Sequence, residues 1–484
     1  MITNGAPCPR PISRSFVNRT IPLILAVALF MENMDSTVIA TSLPAIAADI
    51  GTSPIALKLA LTAYLVSLAI FIPISAWMAD RFGAKRVFRG AILVFMVGSV
   101  LCALSDSLLQ FVGSRFLQGV GGSMMTPIAR LVLVRATERS QLVSALAWLT
   151  IPGLIGPLAG PPVGGFITTY FSWHWIFLIN VPIGFAGIVL SGIFLPHIPS
   201  EGANKLDVKG LFLSGIAASG IVFGLSVISL PALPPIVGIL TLALGVTSAA
   251  LYVRHARKTR YPLLELKLLR RQVFRAAIVG GNVYRIGAGA IPFLLPLMLQ
   301  LGFGMTPFQS GMITFASAGG ALAMKFIAPQ LLRWFGFRTV LASAAVASAF
   351  LIALNGFFTP ETPYTVMIGI LFCAGFLRSL FFTSTNALVF SDIDTKETGQ
   401  ATAMAAVAQQ TSVAIGVAVG GGALELFGVL TGQGISMIAF TYSFLTIAAI
   451  TGLSVFWFLF LPSDAGNTIS GHRLADRAEE APAE

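Results

Sequence analysis

The sequence predicts an all-α integral membrane protein with about fourteen membrane-spanning helices, and three observations lead to this fold class. Hydrophobic residues make up 56% of the 484 residues and charged residues only 10%, whereas soluble domains contain about 25% charged residues. The apolar residues form long continuous runs, which a membrane β-barrel does not have. A helix that crosses a hydrocarbon core about 30 Å thick needs about 20 apolar residues, so the chain is long enough for these crossings and their loops.

The apolar runs fall into blocks of six, two and six predicted spans. The first block comprises residues 21–45, 59–78, 87–104, 108–131, 142–168 and 176–195. The second comprises 211–230 and 235–253, and the third comprises 276–301, 307–332, 340–358, 364–390, 400–427 and 436–461. We therefore predict an N-terminal six-helix bundle (20–196), a two-helix insert (209–254), a C-terminal six-helix bundle (275–462) and a disordered polar tail (463–484).

The distribution of positive charge predicts the orientation of the chain. If both termini are cytoplasmic, 25 of the 30 Lys and Arg residues lie in segments on the cytoplasmic side, and Lys58 alone lies in an outer loop. Because loops rich in Lys and Arg stay in the cytoplasm, we expect this topology in a bacterial cytoplasmic membrane. The formal charge of +11 is therefore a topology signal and not a sign of nucleic-acid binding. Omitting the insert leaves every other loop on the same side, so this pattern fits twelve spans as well as fourteen.

Two similar loops indicate an internal duplication. DRFGAKRV (80–87) and RWFGFRTV (333–340) align at four positions, and each follows the second span of its six-span block. Carriers that work by alternating access are built from such repeats, with the substrate bound between them near the middle of the membrane. The duplication therefore predicts a transporter.

Several further segments carry a family resemblance. They are FMENMDSTVIATSLPAIAADI (30–50), ADRFGAKRV (79–87), RFLQGVGG (115–122), GLIGPLAGPPVGG (153–165) and SWHWIFLINVPIG (172–184). In this order and spacing they resemble the major facilitator superfamily, specifically the fourteen-helix drug:proton antiporters of the EmrB/QacA type. The resemblance implies the major facilitator fold, proton-driven export by alternating access and a protein that functions as a monomer.

An acidic residue inside the first span is the main candidate for proton coupling. Asp35 lies about 21 Å from the cytoplasmic end of its helix and about 15 Å from the other end. An ionised carboxylate at this depth is costly, so we expect Asp35 to hold either a proton or an interaction with substrate, unless it only braces neighbouring helices. Glu32 lies one turn away, and two carboxylates this close titrate as a coupled pair. Arg115 in the fourth span lies at a compatible depth to compensate Asp35, and the resemblance implies a role for it in proton coupling.

Polar residues inside the second block are candidates for the substrate site, together with Asp35. Arg285 and Arg378 lie too deep to reach water by extending along the helix, whereas Lys325 is close enough to do so. With Asn282 and Asn386 nearby in sequence, the two arginines are predicted either to line a cavity and meet an anionic substrate or to bond backbone carbonyls.

The first of the duplicated loops is a candidate gate. Its charged residues and its turn-forming glycine are Asp80, Arg81, Gly83, Lys85 and Arg86. The resemblance implies that these residues stabilise the outward-facing state, and the alternative is that they only anchor the loop on the cytoplasmic side.

Small residues recur every four positions in the fifth span. The candidate motif residues are Gly156, Pro157, Gly160, Pro161, Gly164 and Gly165. A helix face without side chains allows another helix to approach closely, and the prolines favour a bend. The resemblance to the antiporter motif implies a tight, leak-resistant contact that bends during transport, whereas the alternative is ordinary helix packing.

The predicted function is proton-coupled export of small molecules, with lipophilic or cationic drugs as the favoured substrates. Organic anions or their metal complexes are the alternative substrates, and a receptor or scaffold that transports nothing is the alternative class. The predicted partners are a small-molecule substrate, protons and the lipid bilayer, with no nucleic acid. An enzyme is disfavoured because the chain has no zinc-protease, hydrolase or phosphate-loop motif, and the dispersed cysteines and histidines predict no metal site and no cofactor.

Overall fold

The structure is a computed structural model that describes residues 14–137, 141–196, 206–228, 230, 233–394, 397–462 and 464–467. The regular elements of these residues are helices, without a strand among them. The α-helices are α1 (Arg14–Val38), α2 (Leu43–Ile50), α3 (Lys58–Phe71), α4 (Ser75–Phe82), α5 (Ala84–Ala103), α6 (Leu108–Ala136), α7 (Leu142–Tyr170), α8 (Trp175–Leu178), α9 (Asn180–Phe194), α10 (Val208–Ile228), α11 (Pro235–Lys258), α12 (Gln272–Gly289), α13 (Ile291–Leu297), α14 (Pro307–Asn355), α15 (Tyr364–Leu388), α16 (Thr398–Leu430), α17 (Met437–Leu453) and α18 (Val455–Leu459). Of the predicted tail 463–484, residues 463 and 468–484 lie outside this description.

Twelve helical segments in the described chain are long and apolar enough to cross a membrane. They confirm the prediction of an all-α protein with many membrane spans. Two further features bear on the predicted number of crossings. Helix α7 is 29 residues long and matches the predicted span 142–168. Helix α14 has 49 residues with a break at Gly336, and its length of about 73 Å exceeds twice the thickness of a hydrocarbon core. Fourteen crossings remain a prediction.

The aligned glycines of the duplicated loops have similar backbone conformations. Gly83 has φ 87° and ψ 130°, and Gly336 has φ 69° and ψ 167°. A positive φ with an extended ψ is readily adopted only by glycine. Both loops therefore turn between two helices at the same position of the repeat.

The helices pack in two groups. The first helix group contains α1, α3, α5, α6, α7 and α9, and the second contains α12 to α17. The two groups meet where α3 packs against α16 and where α7 packs against α14. Helices α10 and α11 pack against each other, and α10 also contacts α3 and α16. The insert therefore lies beside one of the two seams between the groups.

Polar contacts join the two groups near one end of the helices. The Gln300 side-chain N–H donates to the Thr41 carbonyl at 2.9 Å, and the Phe308 backbone N–H donates to the Thr169 hydroxyl at 3.0 Å. The charge pattern predicts that this end lies at the outer face of the membrane. These bonds hold the two groups together on that side of the cavity described below.

A buried ion pair at the same end was not anticipated. The Lys58 ammonium lies 2.8 Å from Glu425 Oε2, and the Lys58 side chain is 0% exposed. Lys58 is thus the first residue of α3 and not part of a solvated outer loop. The pair joins α3 to α16 across the seam between the two groups.

Asp207 fixes the two ends of the insert to each other. Its carboxylate accepts bonds from the Gly210 and Leu263 backbone N–H groups and lies 2.8 Å from His255 Nε2. Burial raises the pKa of this carboxyl, but the hydrogen bonds outweigh burial and lower the pKa below its ordinary value. The ionised form of Asp207 therefore stabilises the base of the insert.

Candidate functional site

Asp35 lies at the centre of a polar cluster inside the first helix group. Asp35 Oδ2 accepts a hydrogen bond from Arg115 at 2.6 Å. Asp35 Oδ1 accepts from the Gln118 amide at 2.7 Å and from the Asn180 amide at 2.9 Å. Asp35 and Arg115 are each only 1% exposed, so the carboxylate is surrounded by protein donors and not by water. The cluster joins α1, α6 and α9.

The charge of Arg115 is held by polar and aromatic neighbours. Its guanidinium also bonds the Gln118 side-chain oxygen and lies 4.3 Å from the centre of the Tyr64 ring. Gln118 donates in addition to the Ser99 hydroxyl at 2.8 Å. Such hydrogen bonds offset part of the cost of burying an ion pair, and the Arg115 Nε–H has no hydrogen-bond partner among the described residues. These contacts also bring α3 and α5 into the cluster.

Two members of this cluster were missed by the sequence analysis. Gln118 lies in the segment RFLQGVGG and Asn180 lies in SWHWIFLINVPIG, both quoted for their family resemblance. The available signal was a side-chain amide inside an apolar span, where an unsatisfied polar group is costly. Asn282 and Asn386 gave the same signal, so amides alone did not identify the cluster.

Glu32 has a different hydrogen-bond partner from those of Asp35. Its Oε2 accepts a hydrogen bond from the Thr126 hydroxyl at 2.6 Å. Glu32 is partly exposed, in contrast to Asp35. The two carboxylates thus have separate hydrogen-bond partners, and their coupled titration remains a prediction.

The small residues of α7 form the contact with α1. A Cβ atom added at Gly164 would lie 2.3 Å from the Val38 carbonyl, and one added at Gly160 would lie 2.0 Å from the Thr37 hydroxyl. At Gly156 the nearest atom would be the Phe30 carbonyl at 2.9 Å. The glycines therefore allow α7 to approach the helix that carries Asp35.

The other motif residues of α7 face the second helix group. Pro157 and Pro161 line the cavity between the groups. A Cβ atom at Gly165 would lie 2.4 Å from the Pro307 carbonyl at the start of α14, and one at Gly311 would lie 2.3 Å from the Pro161 carbonyl. Helix α7 therefore contacts α1 with one face and α14 with another.

A cavity of about 250 Å³ lies between the two helix groups. Its walls come from α1 and α7 on one side and from α12 to α15 on the other, and they are mainly apolar. The polar residues that line it on the side of the second group are Tyr284, Thr314, Ser317, Lys325, Ser348, Asn355 and Arg378. Asp35 lies behind this wall, whereas Thr37 and Thr41 of the same α1 region line it. Asp35 is not among the described residues that line this cavity, and its role in substrate binding remains a prediction.

The predicted polar residues of the second group occupy different positions. Arg378 lines the cavity and donates to the Ser317 hydroxyl at 2.9 Å. Arg285 is 5% exposed and donates to the Asn386 side-chain oxygen at 3.0 Å. Asn386 and Arg378 both line an adjoining cavity. The Asn282 side-chain oxygen is buried and has no hydrogen-bond partner in the described part of the chain.

The first duplicated loop makes two interactions that the sequence did not specify. Asp80 lies 3.1 Å from the Arg135 guanidinium at the end of α6. Lys85 donates to the Gly192 and Leu195 carbonyls at 2.8 and 2.7 Å, which places its positive charge at the C-terminal end of α9. Arg81 and Arg86 are exposed, and the role of this loop as a gate remains a prediction.

Comparison with known proteins places the chain in a family. The sequence model of the Major Facilitator Superfamily matches residues 25–417 and 277–478. The chain belongs to the Major Facilitator Superfamily. It is 34% identical over 461 residues to MdtD of Escherichia coli, which carries a provisional multidrug-resistance name, and the alignment covers 94% of this chain and 97% of MdtD.

Solved structures of this superfamily show the same fold. A D-xylose–proton symporter matches with a TM-score of 0.67 and 15% identity, over 92% of this chain and 98% of the symporter. The POT family transporter PepTSo matches with a TM-score of 0.66 and 16% identity, over 91% of this chain and 97% of PepTSo. Membership of the Major Facilitator Superfamily and similarity to MdtD make this chain a multi-pass membrane transporter of small molecules rather than an enzyme, as predicted.

Proposed function

We propose that this superfamily member is a proton-coupled antiporter that exports small molecules across the bacterial cytoplasmic membrane by alternating access. The proposal includes fourteen crossings, two six-helix bundles with a two-helix insert, cytoplasmic termini and function as a monomer. The observation that carries it is the buried Asp35–Arg115 pair at 2.6 Å. Asp35 is a titratable group in the membrane interior, and it lies on α1, which also contributes Thr37 to the cavity wall.

The geometry gives a route from protonation to the cavity. A proton on Asp35 removes the charge that Arg115 compensates, so the pair separates or reorganises. Because α1 carries Asp35 on one face and Thr37 on the cavity face, with the cavity-lining Thr41 three residues beyond its end, such a change moves the cavity wall. Helix α7 follows α1 through its glycine face and transmits the movement to α14. Proton uptake at Asp35 is thus linked to the shape of the cavity through α1, α6, α7 and α14.

The contacts between the two helix groups support an inward-facing conformation. The Thr41–Gln300 and Lys58–Glu425 contacts close the outer end under the proposed topology. Lys325, Arg378 and Asn386 line the adjoining cavity, which lies toward the opposite end of the helices. An exporter in this conformation can receive substrate from the cytoplasm.

The apolar walls of the cavity favour lipophilic substrates. The sequence predicts lipophilic or cationic drugs as substrates, yet the charged residues among the described cavity walls are Lys325 and Arg378. Like charges repel at short range in a medium of low polarity. The cavity charges therefore favour the alternative substrate class of organic anions over cations.

Proton release from the purified protein on adding ligand tests the coupling. We expect rhodamine 6G or 2-naphthoate, added in weakly buffered solution, to displace a proton from the unmodified protein. Release is expected to disappear in Asp35→Asn and to persist in Asp106→Asn, which alters an exposed loop carboxylate. Undiminished release from Asp35→Asn contradicts the coupling role of Asp35.

A further inference from the structure

The cations that line the cavity, Lys325 and Arg378, have different partners from the ion-paired cations Arg115 and Lys58. Arg115 is paired with Asp35, and Lys58 is paired with Glu425. Arg378 instead donates to the Ser317 hydroxyl, and Lys325 donates to the Thr383 hydroxyl at 3.3 Å. Within the described residues, no carboxylate lies within ion-pair distance of either cavity cation.

The walls of the cavity provide no compensating negative charge. Its described lining contains Lys325 and Arg378 but no Asp or Glu, and the same holds for the described residues around the adjoining cavity. A cation inside a membrane protein is costly unless an anion or water compensates it. The cavity therefore has an excess of positive charge within apolar walls, which a ligand anion can neutralise.

A second feature points independently to a polar ligand. Asn355 lines the cavity and is 0% exposed. Neither its side-chain oxygen nor its side-chain nitrogen has a hydrogen-bond partner in the part of the chain that is described. Buried amides normally have partners, and a ligand group that both donates and accepts, such as a hydroxyl or an amide, would satisfy both atoms. Asn355 lies one helical turn from Ile352 and two turns from Ser348, so all three residues share the helix face that lines the cavity.

We propose that the cavity binds amphipathic organic anions, with a carboxylate or similar anionic group held by Arg378 and Lys325 and an apolar body against the walls. This inference rests on the proposed transport function and specifies its substrate class. A guanidinium can hold a carboxylate through two parallel hydrogen bonds, and Lys325 adds a second charge on the neighbouring wall. The Ser317 and Thr383 hydroxyls, which now accept from these cations, would be replaced by the ligand anion.

The test uses two fluorescent probes of the same shape and opposite charge. They are 2-naphthoate and 2-naphthylmethylammonium, and their binding is measured to the full chain in nanodiscs, with binding to empty nanodiscs subtracted. We expect 2-naphthoate to bind at least tenfold more tightly than the ammonium probe. Equal binding of the two probes, or no binding of 2-naphthoate at millimolar concentration, overturns the inference.

Variants locate the anion site. Arg378→Gln and Lys325→Gln are each expected to weaken 2-naphthoate binding at least fivefold, with a smaller effect on the ammonium probe or an improvement in its binding. Arg89→Gln removes an exposed positive charge outside the cavity and is expected to change neither affinity. Unchanged 2-naphthoate binding in Arg378→Gln would show that the anion binds elsewhere, and this result also overturns the inference.

The outcome is separable from that of the antiport proposal. If 2-naphthoate binds through Arg378 but its transport in proteoliposomes is insensitive to a pH gradient, the anion site stands and proton coupling fails. If proton-coupled transport is found for rhodamine 6G while 2-naphthoate does not bind, coupling stands and the anion site fails.

Discussion

The Asp35–Arg115 pair makes a quantitative prediction about stability. Arg115→Met removes the positive charge and leaves an uncompensated carboxylate in a site where Asp35 is 1% exposed. With the charge of each group spread over its atoms, a separation of about 4 Å and an effective dielectric constant of about 20 give an attraction of about 4 kcal/mol. Breaking a buried ion pair by removing one partner costs about 3–5 kcal/mol. We expect Arg115→Met to lower the free energy of unfolding by that amount.

The double variant Asp35→Asn/Arg115→Met is expected to be more stable than Arg115→Met alone. The side-chain oxygen of the introduced asparagine can still accept from Gln118 and Asn180, as Asp35 Oδ1 does at 2.7 and 2.9 Å, and no buried charge remains. The free energy of unfolding of all four proteins in mixed micelles gives the coupling energy between the two positions. We expect about 2 kcal/mol or more.

The partly exposed Asp80–Arg135 pair is the matched control, with side chains 30% and 22% exposed. Exposed pairs contribute about 0–1 kcal/mol, so Asp80→Asn is expected to change stability by no more than that. Additive effects at Asp35 and Arg115, to within about 0.5 kcal/mol, would refute the reasoning, because they would mean that the two charges do not stabilise each other in the folded protein.

Three further predictions concern other parts of the fold. Gly164→Ala places a Cβ atom 2.3 Å from a backbone carbonyl, so we expect a loss of about 1–3 kcal/mol in unfolding free energy. The control Gly90→Ala has open space around the added atom and should not lower the unfolding free energy. Equal effects of the two substitutions would argue against tight packing between α1 and α7. Lys58→Met should increase the distance between spin labels on α3 and α16 at the outer end, and unchanged distances would show that the Glu425 pair does not hold this end closed. Because the pKa of Asp207 is lowered in the folded state, the ionised carboxylate stabilises the fold above about pH 4, and this stabilisation is lost as the pH falls through the folded pKa. Asp207→Asn should therefore reduce the dependence of unfolding free energy on acid pH. An unaltered dependence would contradict the stabilising role of the Asp207 carboxylate.

Sequence patterns located the spans but not the faces that they present to each other. The predicted span 108–131 lies within α6 (Leu108–Ala136), because long apolar runs mark the spans. Which residues meet depends on the rotation of each helix about its axis. A helix that contacts lipid on one side and protein on the other is apolar on both, so apolar periodicity does not reveal that rotation. Depth alone placed Arg115 near Asp35, and it could not show that Asn180 completes the cluster.

Lys58 and Asn355 illustrate the same limit at the helix ends. A lysine at the start of a span is ordinarily solvated, and only the position of Glu425 on α16, 367 residues later, explains its burial. Asn355 lies at the end of α14, where an amide commonly faces water. Its position in the cavity depends on the turn at Gly336, which the repeat with Gly83 could indicate but whose direction it could not specify.

The charge of the cargo determines how many protons the cycle needs. Exchange of one proton for one monovalent cation moves no net charge, so the membrane potential does not drive this exchange. A second titrating group such as Glu32 would be required for export of a cation to use the membrane potential. Exchange of one proton for one monovalent anion moves two charges, which is worth about 4.6 kcal/mol at 100 mV, in addition to about 1.4 kcal/mol for each unit of pH difference. With an anionic cargo held by Arg378, a single titrating carboxylate at Asp35 is therefore sufficient to drive export with the membrane potential. The separate hydrogen bond of Glu32 to Thr126 is consistent with such a cycle, because Glu32 then needs no proton of its own.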